Sequence, residues 1–214
     1  MGILDVLRSL VRRAMTWLAT RLDRITNGKV SPVMITLLGF LMHLPIAYLI
    51  ATGSHVLAAV LLVVFGLFDA LDGALARVQN RASSAGMVLD ASTDRMKEVL
   101  LYMGVGYFLL GTPQTIESSW VALILVAAAG GSLLVSYVKA KGETAVKDAK
   151  LSPNDINRLF QDGFLRFELR MFLLIVGLCF DLLLAISIII AVLSWFTALD
   201  RLQRIYKKLQ SADV

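Results

Sequence analysis

The chain has 214 residues, 57% of them hydrophobic and 17% charged, and a mean hydropathy of +0.74, which excludes an ordinary soluble domain and puts most of it in lipid. Four prolines and one cysteine exclude a collagenous, proline-rich or disulfide-stapled chain, and Cys179 reads as a small apolar filler in a helix. The net charge of +5 would suit nucleic acid, but the 21 basic residues lie in four clusters between apolar runs, which excludes that partner.

In chain order, Ile3, Leu7, Leu10, Val11, Ala14, Leu18 and Leu22 recur at helical spacing opposite Arg8, Arg12, Arg13 and Arg21. Residues 1–30 are therefore expected to be an amphipathic helix in the cytoplasmic interface, ahead of a membrane domain at 31–214. The segment lacks the unbroken apolar core and small-residue ending of a cleavable signal peptide. Ser31-Pro32 opens the first span, since proline is tolerated in a first helical turn.

Apolar stretches follow at 33–51, 56–68, 99–110, 120–138, 171–180 and 182–199, the short ones continuing as helix into polar flanks. The basic clusters alternate with connections free of Lys and Arg, at 52–55, at 111–119 and around Asp181. By the positive-inside rule both termini are cytoplasmic and the number of spans is even. Residues 171–199 would measure about 43 Å as one helix, longer than a hydrocarbon core of roughly 30 Å. Two helices turning near Phe180-Asp181-Leu182 fit better, so the expected fold is all-α with six transmembrane helices. Trp17, Trp120 and Trp195 fall near helix ends, as an aromatic belt does. The Leu and Ile stripe of the last span reads as packing or dimer surface. Between 142 and 162, Ser152 or Asn154 is expected to cap a short cytoplasmic helix.

The chemistry is concentrated in residues 69–94, DALDGALARVQNRASSAGMVLDASTD. Asp69 and Asp72 are three apart and Asp90 and Asp94 four apart, so on helices each pair projects from one face. Two helices joined by a short loop then bring four carboxylates together. Their mutual repulsion calls for a cation, and oxygen ligands with no nearby His or Cys suit Mg²⁺ or Mn²⁺ rather than zinc. Gly73 and Gly86 suggest close approach to the backbone, by a ligand or by another helix. His43 and His55 fall on or near the opposite side of the membrane, where packing or interface roles suit them.

Asp69-x-x-Asp72-Gly73-x-x-Ala76-Arg77, eight residues, then Gly86-x-x-x-Asp90-x-x-x-Asp94 is similar to the complete signature of the CDP-alcohol phosphotransferases, eight fixed positions across 26 residues. The resemblance implies a homodimer of six-helix subunits in the cell membrane with its active site facing the cytoplasm. It also implies transfer of a phosphatidyl or archaetidyl group from CDP-diacylglycerol or CDP-archaeol to a polar alcohol, releasing CMP. Carried over by position, it assigns Asp69, Asp72, Asp90 and Asp94 to metal binding, with two Mg²⁺ or Mn²⁺ ions. Asp94 is also the general base, and Asp69, Gly73, Arg77 and Ser83 bind the CDP-lipid.

Ser136-Tyr137-Val138-Lys139-Ala140-Lys141-Gly142-Glu143 resembles a stretch of the branch making phosphatidylinositol phosphate or its archaeal counterpart, departing at Lys141 and Gly142. That branch implies an acceptor-phosphate pocket of Lys139, Arg170 and Arg201 for inositol 1-phosphate, with glycerol 3-phosphate as the alternative acceptor. Around Arg170 the usual proline is missing. A divalent-cation transporter would want its acids near mid-membrane, and a prenyltransferase a second aspartate-rich motif beyond Asp94, where none occurs.

Overall fold

The structure, a computed structural model, describes residues 3–148, 165 and 167–211. The expected cap at Ser152 or Asn154 lies outside the described residues. Among them every regular element is helical: α1 (Ile3–Thr26), α2 (Pro32–Ala51), α3 (His55–Gly66), α4 (Phe68–Val78), α5 (Ser84–Gly111), α6 (Ser118–Asp148), α7 (Phe167–Cys179) and α8 (Leu183–Gln210). Among the described residues, four stretches are long and apolar enough to cross a membrane: 32–51, 55–78, 118–145 and 183–210. Large apolar side chains such as Leu41, Tyr48, Val60, Leu123, Val126 and Val192 face outward along them, as lipid-facing residues do. The chain is an all-α, multi-pass membrane protein.

Local chemistry sets the helix boundaries. Ser31 caps α2, its hydroxyl accepting the Met34 N–H at 3.2 Å, with Pro32 in the first turn. The apolar run from 171 to 199 does split in two. Asp181 takes a left-handed φ of 55° and the Leu182 N–H closes on the Gly177 carbonyl at 2.8 Å, ending α7. Cys179, the last residue of α7, is exposed rather than packed inside.

The chain divides into two compact units, residues 1–104 and 105–214. In the first, Met15 and Ala19 of α1 meet Ala74 and Leu75 of α4 and Ile35 of α2 in a buried cluster. Only part of the apolar character of α1 is spent on that contact: Leu10, Trp17, Leu18 and Ile25 stay exposed, and Arg21 lies over the Trp17 ring at 5.3 Å. At Gly104, α5 passes α2 so closely that a Cβ would run into the Ala47 carbonyl. Gly104→Ala is therefore expected to lower stability by about 1–3 kcal/mol, read as a lower melting temperature in detergent. An unchanged melting temperature would refute that close approach.

In the second unit α6 and α8 pack through small and polar residues. Gly131 faces Ser194 and Trp195, Ser132, Ser194 and Thr197 are buried, and the Trp195 indole N–H donates to the Ala127 carbonyl at 3.0 Å. Gly177 of α7 sits against Leu183 and Ile186 of α8.

Candidate active site

The acids lie on α4 and α5, joined by residues 79–83. Helix α4 ends where Asn80 adopts φ 53°, with the Arg81 N–H on the Ala76 carbonyl at 2.8 Å, so the chain turns back at once. Gln79 fastens this turn to the end of α1 and to the α1–α2 connection, donating to Asp23 Oδ1 at 2.8 Å and to the Val30 carbonyl at 2.9 Å. Ser83 then caps α5, its hydroxyl oxygen accepting the Gly86 N–H at 3.1 Å. A helical hairpin results, with Asp69 and Asp72 on one arm and Asp90 and Asp94 on the other.

Asp69, Asp72 and Asp90 each bring a carboxylate oxygen within 4.8 Å of the other two. Asp72 is buried and oriented by Thr36 of α2. That hydroxyl has one proton to give, and Asp72 Oδ2 at 2.5 Å is a nearer acceptor than the Pro32 carbonyl at 3.1 Å. Asp90 Oδ1 is buried with no hydrogen-bond partner among the described residues. Three converging carboxylates, one with an unsatisfied oxygen, are a donor set suited to a hard divalent cation.

Asp94 stands outside that group of three. Its Oδ1 lies 3.2 Å from the Lys97 ammonium, which also reaches Asp69 Oδ1 at 2.5 Å, and its Oδ2 is 4.0 Å from Arg95. Arg95 in turn holds buried Glu98 at 2.8 Å. A cavity of about 310 Å³ adjoins the acids, lined by Asp72, Gly73, Arg77, Ser83, Gly86 and Asp90 among others. The Arg77 side chain makes no hydrogen bond or ion pair among the described residues. A Cβ at Gly73 would meet only the Arg77 guanidinium, at 3.8 Å, so this wall stays open to a ligand.

The basic residues of the second unit are arranged differently. Arg201 is buried and donates to the Val135 carbonyl at 2.9 Å, one helical turn before Lys139 on α6. Lys139 is 51% exposed and lies 3.8 Å from Glu143. Arg170, buried, donates to the Leu165 carbonyl at 3.0 Å within its own segment. His43 is buried in α2 with Nδ1 2.7 Å from the Gly39 carbonyl, and His55 is buried at the start of α3.

Sequence reasoning missed Thr36 and the inward course of Lys97. Nothing local marks Thr36, 36 residues from Asp72. Lys97 did carry a signal: it follows Asp94 by three residues, on the helix face that already bears Asp90 and Asp94.

A helical hairpin that clusters carboxylates beside a cavity bearing Arg77 and Arg81 suits a phosphotransferase acting on a diphosphate. Residues 29–199 match the CDP-alcohol phosphatidyltransferase family, and the chain belongs to it. It is 27% identical over 181 residues to the archaetidylinositol phosphate synthase of Pyrococcus horikoshii, covering 85% of this chain and 86% of that one. With the phosphatidylinositol phosphate synthase of Corynebacterium glutamicum it shares 36% identity over 122 residues, 55% of this chain and 53% of the relative. The fold is that of the Mycobacterium tuberculosis phosphatidylinositol phosphate synthase crystallised with CDP-DAG bound, with a TM-score of 0.74 at 24% identity, covering 91% of this chain and 94% of that one.

Proposed function

We propose that this protein moves a phosphatidyl or archaetidyl group from a CDP-linked lipid to the hydroxyl of inositol 1-phosphate, releasing CMP. The observation that carries this reading is the convergence of Asp69, Asp72 and Asp90 within 4.8 Å at the edge of the cavity bearing Arg77. These three carboxylates and Asp94 would hold Mg²⁺ or Mn²⁺, two ions in the full site. Bound there, divalent cations supply Lewis-acid polarisation of the diphosphate and stabilise departing CMP. Arg77, with no partner among the described residues, would pair with the diphosphate, and Gly73 would let the cytidine lie against α4. Ser83 accepts from Gly86 as a cap, so its hydroxyl proton is the part left to give to a phosphate oxygen.

In this reading Asp94 takes the proton of the acceptor hydroxyl. The freed oxygen attacks the lipid-side phosphorus, the bond to the CMP oxygen breaks, and CMP leaves with that electron pair. Lys139, Arg170 and Arg201 would bind the acceptor's phosphate. The names of the Pyrococcus and Corynebacterium relatives support inositol phosphate over glycerol 3-phosphate.

We further propose six spans, counting α5 and α7 beside the four long apolar stretches, with both termini and the acids on the cytoplasmic side of the cell membrane. Residues 1–30 would lie in the interface, where exposed Trp17, Leu18 and Ile25 have a place in lipid, and 31–214 form the catalytic domain of a homodimer. The deciding experiment is CMP release by purified protein with CDP-diacylglycerol or CDP-archaeol and Mg²⁺, offering inositol 1-phosphate, glycerol 3-phosphate, serine or free inositol separately. Release is expected with inositol 1-phosphate alone and none in EDTA. Release only with glycerol 3-phosphate would overturn the acceptor assignment, and undiminished release in EDTA the metal assignment.

A further inference from the structure

Lys97 is only 1% exposed, although an ammonium taken out of water costs several kcal/mol unless it is paired. Its Nζ lies 2.5 Å from Asp69 Oδ1 on α4 and 3.2 Å from Asp94 Oδ1 on its own helix, so it bridges both arms of the hairpin. Helix α2 leaves room for it. Gly39 packs on Phe68, and a Cβ there would stand 4.0 Å from Nζ. Asp69, Asp72, Asp90 and Asp94 bring four negative charges to the hairpin, and Arg95 is matched by Glu98. Lys97 is thus the one buried cation touching two of the four acids among the described residues.

We propose that Lys97 is a built-in counter-ion of the acidic site, a positioning residue that keeps the hairpin closed when no divalent ion is bound and weakens the affinity for such ions. This rests on the metal reading above. An ammonium fixed between Asp69 and Asp94 offsets their repulsion in the ion-free protein, and the same fixed charge repels an incoming cation. Two properties that would otherwise rise and fall together are then opposed. Removing the charge should loosen the ion-free protein yet tighten ion binding, whereas loss of a merely structural contact would weaken both.

The test uses full-length protein in detergent and Mn²⁺ alone, with free Mn²⁺ counted by electron paramagnetic resonance and unfolding followed with and without the ion. Lys97→Met is expected to melt at a lower temperature than wild type in EDTA, to recover with Mn²⁺, and to bind Mn²⁺ on the order of tenfold more tightly. Lys97→Arg, which keeps the charge, should restore the wild-type affinity. Equal or weaker Mn²⁺ binding by Lys97→Met, or an unchanged ion-free melting temperature, would overturn the inference. If Lys97→Met is not recovered folded, Lys97→Met/Asp94→Asn decides, since it removes one charge of each sign: near wild-type melting in EDTA supports the counter-ion role, and failure to fold overturns it. Absence of Mn²⁺ binding by wild type would overturn the metal reading, while the comparison in EDTA, which involves no ion, would still judge Lys97.

Discussion

Asp94→Asn is expected to lower CMP release by about 10²–10⁴-fold while the CDP-lipid still binds, because the amide cannot accept the proton of the attacking hydroxyl. Asp94 lies outside the trio of Asp69, Asp72 and Asp90, so the substitution leaves those converging oxygens in place. It does weaken the Lys97 contact at 3.2 Å, which makes donor binding a necessary control. Single-turnover CMP release alongside equilibrium binding of CDP-diacylglycerol separates the two effects. Turnover near the wild-type rate would remove Asp94 from the proton-transfer role. Loss of donor binding together with turnover would leave Asp94 its metal-holding part alone and remove it as the base.

The second large effect concerns the acceptor. Lys139→Ala and Arg201→Ala are each expected to raise the KM for inositol 1-phosphate by about 10–100-fold, with the KM for the CDP-lipid nearly unchanged, since a hydrogen bond to a charged group contributes about 1.5–3 kcal/mol. The two differ in what else they disturb. Lys139 is half in solvent beside Glu143, and its loss should leave folding alone. Arg201 is buried against the Val135 carbonyl, so Arg201→Ala should also lower the melting temperature. Steady-state kinetics with each substrate varied in turn checks this. Equal rises in both KM values would point to collapse of the α6–α8 pair rather than lost phosphate binding, and no rise would remove these residues from the acceptor site.

Much of this could be read along the chain, because membrane placement and helical spacing are short-range properties. Composition put the chain in lipid, and the turn at Phe180-Asp181-Leu182 followed from the length of the apolar run. The spacings of Asp69 with Asp72 and of Asp90 with Asp94 required a shared face wherever a helix formed. Ser31-Pro32 marked the start of α2 through a cap whose partner is three residues away.

What depended on the approach of separate helices was out of reach. Gly73 and Gly86 read alike in sequence and both line the cavity, yet a Cβ at the first would meet only the Arg77 guanidinium while one at the second would press on the Ser83 hydroxyl that caps α5. The inward course of Lys97, the Thr36 hydroxyl on Asp72 and the fastening of Gln79 to Asp23 each join segments 28 to 56 residues apart. Lys97 stands just ahead of the apolar stretch at 99–110, where a lysine normally reaches for water. Only the packing of α2, α4 and α5 shows that two carboxylates are nearer than solvent. The sequence by itself determined which residues could share a helix face and a membrane, since those are matters of spacing and hydropathy. Tertiary structure alone decided which charges meet, because that depends on distances between helices that no local pattern encodes.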